Sequence, residues 1–309
     1  MPSPHFLTFT GNPLAETTFE FADWTAGATQ RAASAEFQVG GKGINVTKML
    51  RRLGARTTAL TFLGGVSGER CRAWLAGQGF DLAAFGTGGA TREGLVVRSP
   101  GRPETTFLGP DSPPDAAAWQ IAADWLGRAH EETLAADGRA VFALCGSAPG
   151  WASGASAPFR TALEDWIGSG LPYCADTYGA PLEWSVEREV ALVKVNADEF
   201  RGLLRAAPGS AVDALLEKAL GRWPVKAWVV TDGPRPVWFA TKDAAPRWLE
   251  PPRIAEVSAT GSGDVMMACL LESLYARGLE LDDAVDWAIP RAAANAAHPG
   301  IAEFEDPQC

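Results

Sequence analysis

Residues Glu256 to Gly278 read EVSATGSGDVMMACLLESLYARG. The small residues Thr260-Gly261-Ser262-Gly263 end at Asp264, and a nearly all-apolar segment follows from Val265 to Tyr275. Apolar residues on most sides predict a buried helix, closed by Arg277 and Gly278. Asp264 then stands at the helix N-terminus, where backbone N–H groups lack intrahelical partners and carry about half a positive charge. Glycines let the backbone approach a phosphate closely, so the turn reads as an anion cradle. A carboxylate beside such a cradle suits acceptance of a proton from an attacking hydroxyl. The same residues also read as a plain helix cap after a glycine turn, so other stretches must separate the two readings.

The 309 residues suffice for one large α/β domain with a small appendage. The net charge of −10 argues against a nucleic-acid or anionic-membrane surface, yet leaves room for a local basic pocket. Cys71, Cys145, Cys174, Cys269 and Cys309 are scattered without a CxxC, as expected for reduced thiols in a cytoplasmic protein. Three dispersed histidines argue against a His-based metal site. No basic apolar leader and no run of about 20 apolar residues is present, so neither a signal peptide nor a membrane span is expected.

Along the chain, His5 to Thr10 predicts a first strand that ends at Gly11-Asn12-Pro13, and Thr17 to Phe21 a half-exposed strand. Residues 22 to 38 lack helical periodicity and read as an excursion. Gly40, Gly41 and Gly43 flank Lys42, and Ile44, Val46, Met49, Leu50 and Leu53 then fall at helical spacing up to Gly54. Asn45 lies in the first turn of that helix. The spacing is not that of a P-loop, so a Walker-type site is not supported. Strands are expected at Thr57 to Phe62, Phe80 to Phe85, Gly94 to Val97 and Glu104 to Leu108, with Ser67 as the cap of a helix to Leu75. From Asp115 to Asp232 helices and strands alternate: helices near 115–136 and 156–168 and from Ala197 and Val212, strands at 140–144, 171–176, 191–195 and 227–231. This rhythm predicts a mainly parallel sheet covered on both faces, with ligands at the C-terminal strand ends. Twelve scattered tryptophans read as packing residues. Asn196 and Glu199 fit a helix capping box, and equally an outer-shell magnesium site beside nucleotide phosphates. Arg92 reads as a solvated side chain or, with company, a phosphate clamp.

Five segments together resemble the ribokinase-like PfkB sugar kinases: GGKGIN at 40–45, GSAPG at 146–150, KVNADE at 194–199, TDG at 231–233 and TGSGD at 260–264. The resemblance spans the chain. Asn12-Pro13, GGKGINV, Thr91-Arg92 and Pro251-Pro252 are most similar to the 1-phosphofructokinase and tagatose-6-phosphate kinase branch. It implies a three-layer α/β/α core (1–11, 39–90 and 109–309) with a mainly parallel sheet and a small β lid (12–38 and 91–108) that doubles as a homodimer interface. It implies ATP and Mg²⁺, a sugar or sugar-phosphate acceptor, and Asp264 as base with Gly261, Ser262 and Gly263 holding the phosphoryl. Glu16, Gly40, Gly41, Lys42, Asn45 and Arg92 would bind the sugar, Lys42 and Arg92 by neutralising its phosphate. Lys194, Asn196, Thr231, Gly233, Thr260 and Asn295 would serve the nucleotide, with Asn196 and Glu199 organising the metal. The chain departs from the family pattern at Glu16 (an aspartate there), Gly94 (an asparagine), Val195 and Ser258. Two other readings are a kinase of a free sugar or nucleoside, and a non-catalytic sugar- or nucleotide-binding relative.

Overall fold

The strand His5–Thr10 (β1) is buried from Phe6 onward on both faces, as a strand at the centre of a covered parallel sheet must be. In this computed structural model, which describes residues 3–136 and 138–307, β1 pairs in parallel with two neighbours. Cys309 lies outside the described residues.

The chain then runs through β2 (Leu14–Glu20), β3 (Ser34–Gly40), α1 (Lys42–Arg52), β4 (Arg56–Leu63), α2 (Gly65–Gly77) and β5 (Leu82–Gly86). Next come β6 (Glu93–Arg98), β7 (Thr105–Leu108), α3 (Ala116–Ala135), β8 (Ala140–Cys145), α4 (Ala157–Gly168) and β9 (Tyr173–Asp176). The second half adds α5 (Ala180–Val186), β10 (Leu192–Asn196), α6 (Ala197–Leu204), α7 (Val212–Arg222), β11 (Ala227–Asp232), β12 (Arg235–Thr241) and β13 (Ala244–Leu249). It closes with α8 (Ser262–Leu271) and α9 (Leu281–Ala296).

The large sheet has the order β13-β12-β11-β10-β9-β8-β1-β4-β5. It is parallel from β11 to β5; β12 pairs antiparallel with β11, and the edge strand β13 pairs antiparallel with β12. One face is covered by an aromatic layer in which Trp119 of α3 and Phe159 and Trp166 of α4 pack on Phe9 and Phe142, with Trp151 of the loop between β8 and α4 against Trp119 and Phe159. On the other face α8 is buried on every side, among Met49 and Leu50 of α1, Val285 and Ala288 of α9, and Phe6 and Val141 of the sheet. That environment explains why its sequence shows no polar stripe. Beyond Leu271 the helix widens into a π-turn, Glu272–Arg277, before Gly278 ends it at φ 71°.

A second sheet, β3-β2-β6-β7, stands apart from the first. The hairpin partner β3 lies in the excursion where no strand was expected from periodicity. Its first three residues are exposed, so they carry no apolar alternation to read. The helix expected to be capped by Ser67 starts earlier, at Gly65, and the Ser67 hydroxyl donates to the Thr91 carbonyl (2.7 Å). No described helix is long and apolar enough to cross a membrane.

Candidate active site

Register brings the C-terminal ends of the central strands into one line. Thr10 of β1 sits beside Cys145 of β8, Cys145 beside Asp176 of β9, and Asn196 of β10 beside Thr231 of β11. Over this edge three helix N-termini converge: α1 after Gly41, α6 after Asn196 and α8 after Gly261. Their unpaired amides make the place electropositive.

Side chains bind these ends together. The Lys42 ammonium, at the first position of α1, donates to Asp176 Oδ1 (2.9 Å) and Glu199 Oε1 (3.2 Å). The Lys194 ammonium donates to the other oxygen of Asp176 (3.1 Å), and Asp176 is fully buried. Asn45 Nδ2, one turn along α1, donates to Asp264 Oδ2 (2.7 Å). Two ammoniums thus face three carboxylates, and Asp264 is the carboxylate with no lysine hydrogen bond. Burial and the negative charge of Asp176 push its carboxyl up to about 6. Burial opposes ionisation of Asp176 as well, but the Lys194 and Lys42 ammoniums overcome it and hold that carboxyl below its ordinary range. Burial likewise works against the charge of Lys42, yet Asp176, Glu199 and Asp264 outweigh it and push its affinity for the proton up. One acid with a proton affinity near neutral, beside Asp176 held ionised, is an arrangement suited to proton transfer.

The turn before α8 is shaped from behind. Asn295 of α9 is fully buried; its amide donates to the Thr260 carbonyl (3.0 Å) and Ser262 Oγ (3.1 Å), and its oxygen accepts from Ala302 N (2.8 Å). Asn295 therefore holds the cradle and presents no free amide to a nucleotide. Gly261 has φ 79°, and a Cβ there would lie 2.6 Å from Ile301 Cγ2. Gly261→Ala combines left-handed strain with overpacking and is expected to lower unfolding free energy by about 2–5 kcal/mol in a denaturant titration. A Cβ at Gly263 would lie 2.6 Å from Lys194 Nζ, so the Lys194 ammonium sits directly beneath the cradle.

Glu16 and Gly40 lie together on the second sheet. Glu16 is buried, accepts from Gln38 Nε2 of β3, and a Cβ on Gly40 would approach its Oε2 at 3.3 Å. Burial pushes its carboxyl up, the Gln38 bond pulls it down, and the charge of Glu104 raises it again. Gly41 caps α1 at φ 125°, a conformation that favours glycine, with Thr10 Cγ2 2.6 Å from where a Cβ would stand. Arg92 lies further along: its guanidinium contacts Asp111 Oδ1 (3.2 Å) and the Asn12 carbonyl (3.2 Å), and its Nε is buried without a partner. Asn12 Nδ2 donates to the same Asp111 oxygen (2.8 Å) and to Ser147 Oγ (3.0 Å).

Asn196 and Glu199 form the capping box: Asn196 Oδ1 accepts from Glu199 N (2.8 Å) and Glu199 Oε2 from Asn196 N (2.9 Å). Each of these oxygens keeps a lone pair for a water, which fits a hydrated magnesium ion. Among the described residues no group of three or more acidic, histidine or cysteine side chains is placed to ligate a metal directly. Thr231 stands next to Asn196, and Gly233, at φ 59°, makes the turn into β12.

Sequence reading placed Lys42 at a substrate phosphate; in the structure its charge is matched by Asp176 and Glu199. Asp176 itself was not singled out, although an aspartate ending a buried parallel strand is a signal for a site at that edge. Gln38, Glu104 and Asp111 carry no local signal, because their partners lie on other elements.

Comparison with known proteins identifies the family. The profile of the pfkB family carbohydrate kinases matches residues 14–145 and 182–308. A 1-phosphofructokinase of Borreliella burgdorferi is 26% identical over 301 residues, covering 97% of this chain and 94% of its own. An ATP-dependent 6-phosphofructokinase isozyme 2 of Mycobacterium tuberculosis is 27% identical over 303 residues, covering 97% and 86%. The tetrameric inhibited form of phosphofructokinase-2 from Escherichia coli superposes with a TM-score of 0.82 at 20% identity, over 96% of this chain and 94% of that one, which establishes the shared fold. The chain is a member of the pfkB family of carbohydrate kinases, phosphotransferases that act on a sugar hydroxyl.

Proposed function

We propose that this kinase transfers the γ-phosphoryl of ATP to a hydroxyl of a ketohexose phosphate: fructose 1-phosphate, fructose 6-phosphate or tagatose 6-phosphate. The observation that carries the base assignment is Asp264, buried at the N-terminus of α8 and the one carboxylate of the cluster without a lysine partner. It accepts the hydroxyl proton as the sugar oxygen attacks. The Gly261–Gly263 amides and the Lys194 ammonium beneath them stabilise charge on the phosphoryl oxygens, each well-placed donor being worth about 3–4 kcal/mol in kcat. Lys42 bridges the α1 and α6 ends and sets the spacing between acceptor and nucleotide sites. Magnesium, held through water by Asn196 and Glu199, would neutralise nucleotide phosphates when bound.

The phosphorylated acceptor rests on Arg92. Its Nε is a buried donor without a partner, which an anion would satisfy. Glu16 and Asn45 are then available to sugar hydroxyls. The second sheet serves as a lid, and a homodimer through it is supported by Leu95, Phe107 and Leu108, which lie 44%, 54% and 56% exposed on that sheet.

Arg92→Ala is expected to lower kcat/KM for a ketohexose phosphate by about 10²-fold, roughly the worth of a charge-assisted bidentate contact. Free hexoses should be unaffected. Equal loss on phosphorylated and free sugars, or turnover of free sugars or nucleosides alone, would retire the phosphate clamp.

A further inference from the structure

The turn that forms the cradle is gripped from two sides. On the core side, Ala296 accepts from Val257 N (2.8 Å) and Ser258 N (3.1 Å), and Asn295 holds the Thr260 carbonyl. On the other side stands Glu104, the residue just before β7 in the second sheet. Its Oε1 accepts from the Thr260 hydroxyl (2.8 Å), and its Oε2 from Arg98 Nε at the end of β6 (2.6 Å) and from Ser258 Oγ (3.4 Å). The Glu104 side chain is only 13% exposed. Thr260 therefore has its carbonyl fixed to the large-sheet domain and its hydroxyl fixed to the second sheet. One residue later Gly261 turns into the left-handed region and begins α8.

We propose that Glu104 is a positioning residue that ties the second sheet to the Ser258–Thr260 turn, so that the cradle before α8 is set in register with the sheet above it. Three donors from two different parts of the fold meet on one largely buried carboxylate, and charge-assisted bonds of that kind outlast solvated surface pairs. Glu104 reaches the turn from the same sheet that carries Glu16 and Gly40, and its charge is felt at Glu16. A sugar that draws the sheet down would through Glu104 also pull Thr260 into place, linking acceptor binding to the phosphoryl site. This linkage rests on the kinase reading; the contact itself does not.

Two measurements separate them. Hydrogen exchange on the free protein needs no substrate. Glu104→Ala is expected to raise exchange at least tenfold both in 99–108 and in 256–262. Thr260→Val, which removes the hydroxyl from the other side, should give the same pattern, and Thr260→Ser should keep the slow rates. Exchange that rises only in 99–108, or in neither segment, would overturn the proposal. In turnover assays, the wild type is expected to show a nucleotide KM that falls as acceptor concentration rises, and Glu104→Ala to lose that dependence and about tenfold in kcat. If that dependence persists in Glu104→Ala, the linkage is wrong. If the wild type phosphorylates no sugar, the kinase reading falls and the exchange experiment still decides the contact.

Discussion

Asp264→Asn is expected to lower kcat by about 10²–10⁴-fold, the range contributed by a positioned general base. Nucleotide affinity should change little. The substitution is isosteric, and the carboxamide oxygen can still accept from Asn45 Nδ2, which now reaches Asp264 Oδ2 at 2.7 Å. Stability should move the other way. With its carboxyl pushed up to about 6, Asp264 is a group whose ionised form the fold disfavours. A raised folded value contributes stability below the unfolded value of 3.8 and loses it as pH rises through about 6. At pH 7–8 the wild type therefore carries a penalty on the order of 1–3 kcal/mol. Asp264→Asn should unfold at higher denaturant at that pH and lose the decline in stability between about pH 4 and 6. The activity of the wild type should fall on the acid side through about 6, as the base takes up its proton. A variant that keeps most of its rate, or a wild-type rate flat through that region, would remove Asp264 from the base role.

Asp176→Asn should have the second largest effect, and it acts on fold and chemistry together. Asp176 is fully buried between two ammoniums, and the Lys194 side chain is 4% exposed. Removing the charge leaves one buried lysine without an anionic partner, a change that typically costs 3–5 kcal/mol, roughly a third of a domain's net stability. Lys194 then has no reason to stay beneath Gly263, and Lys42 keeps only Glu199. The expected result is a loss of about 3–5 kcal/mol in a urea titration and a drop in kcat of at least about 10²-fold, as misplaced charges at a phosphoryl site produce. The pH profile distinguishes this from simple loosening. Asp176 is one of the charges that raises Asp264, so its removal should shift the acid limb to lower pH. An unchanged limb would mean that Asp176 acts only in packing.

These expectations show what the sequence displays and what it hides. The cradle was legible because all its parts lie within five residues, Thr260 to Asp264, followed by an apolar run that fixes the helix start. The parallel strands were legible because each is a short apolar run between turn residues. The bonds that tune the site were not. Lys42 and Asp176 are separated by 134 residues, and Asn45 and Asp264 by 219. No local pattern states that such residues meet; the strand order does. Strands β12 and β13 are masked because each carries a proline, Pro236 and Pro246, which demotes an apolar run as a strand signal. In α9, Pro290 interrupts the pattern of a helix that nonetheless continues to Ala296. Asn295, within that helix, is fully buried and braces the Thr260–Ser262 turn, a placement no local pattern states.

The most direct test of the account is ³¹P NMR of the purified protein with ATP, Mg²⁺ and, in turn, fructose 1-phosphate, fructose 6-phosphate and tagatose 6-phosphate. The account predicts loss of the γ-phosphate signal, with ADP and a second phosphomonoester on one of these sugars appearing in equal amounts. All three ketohexose phosphates left unchanged, while a free hexose or nucleoside supplied in their place is phosphorylated, would contradict it.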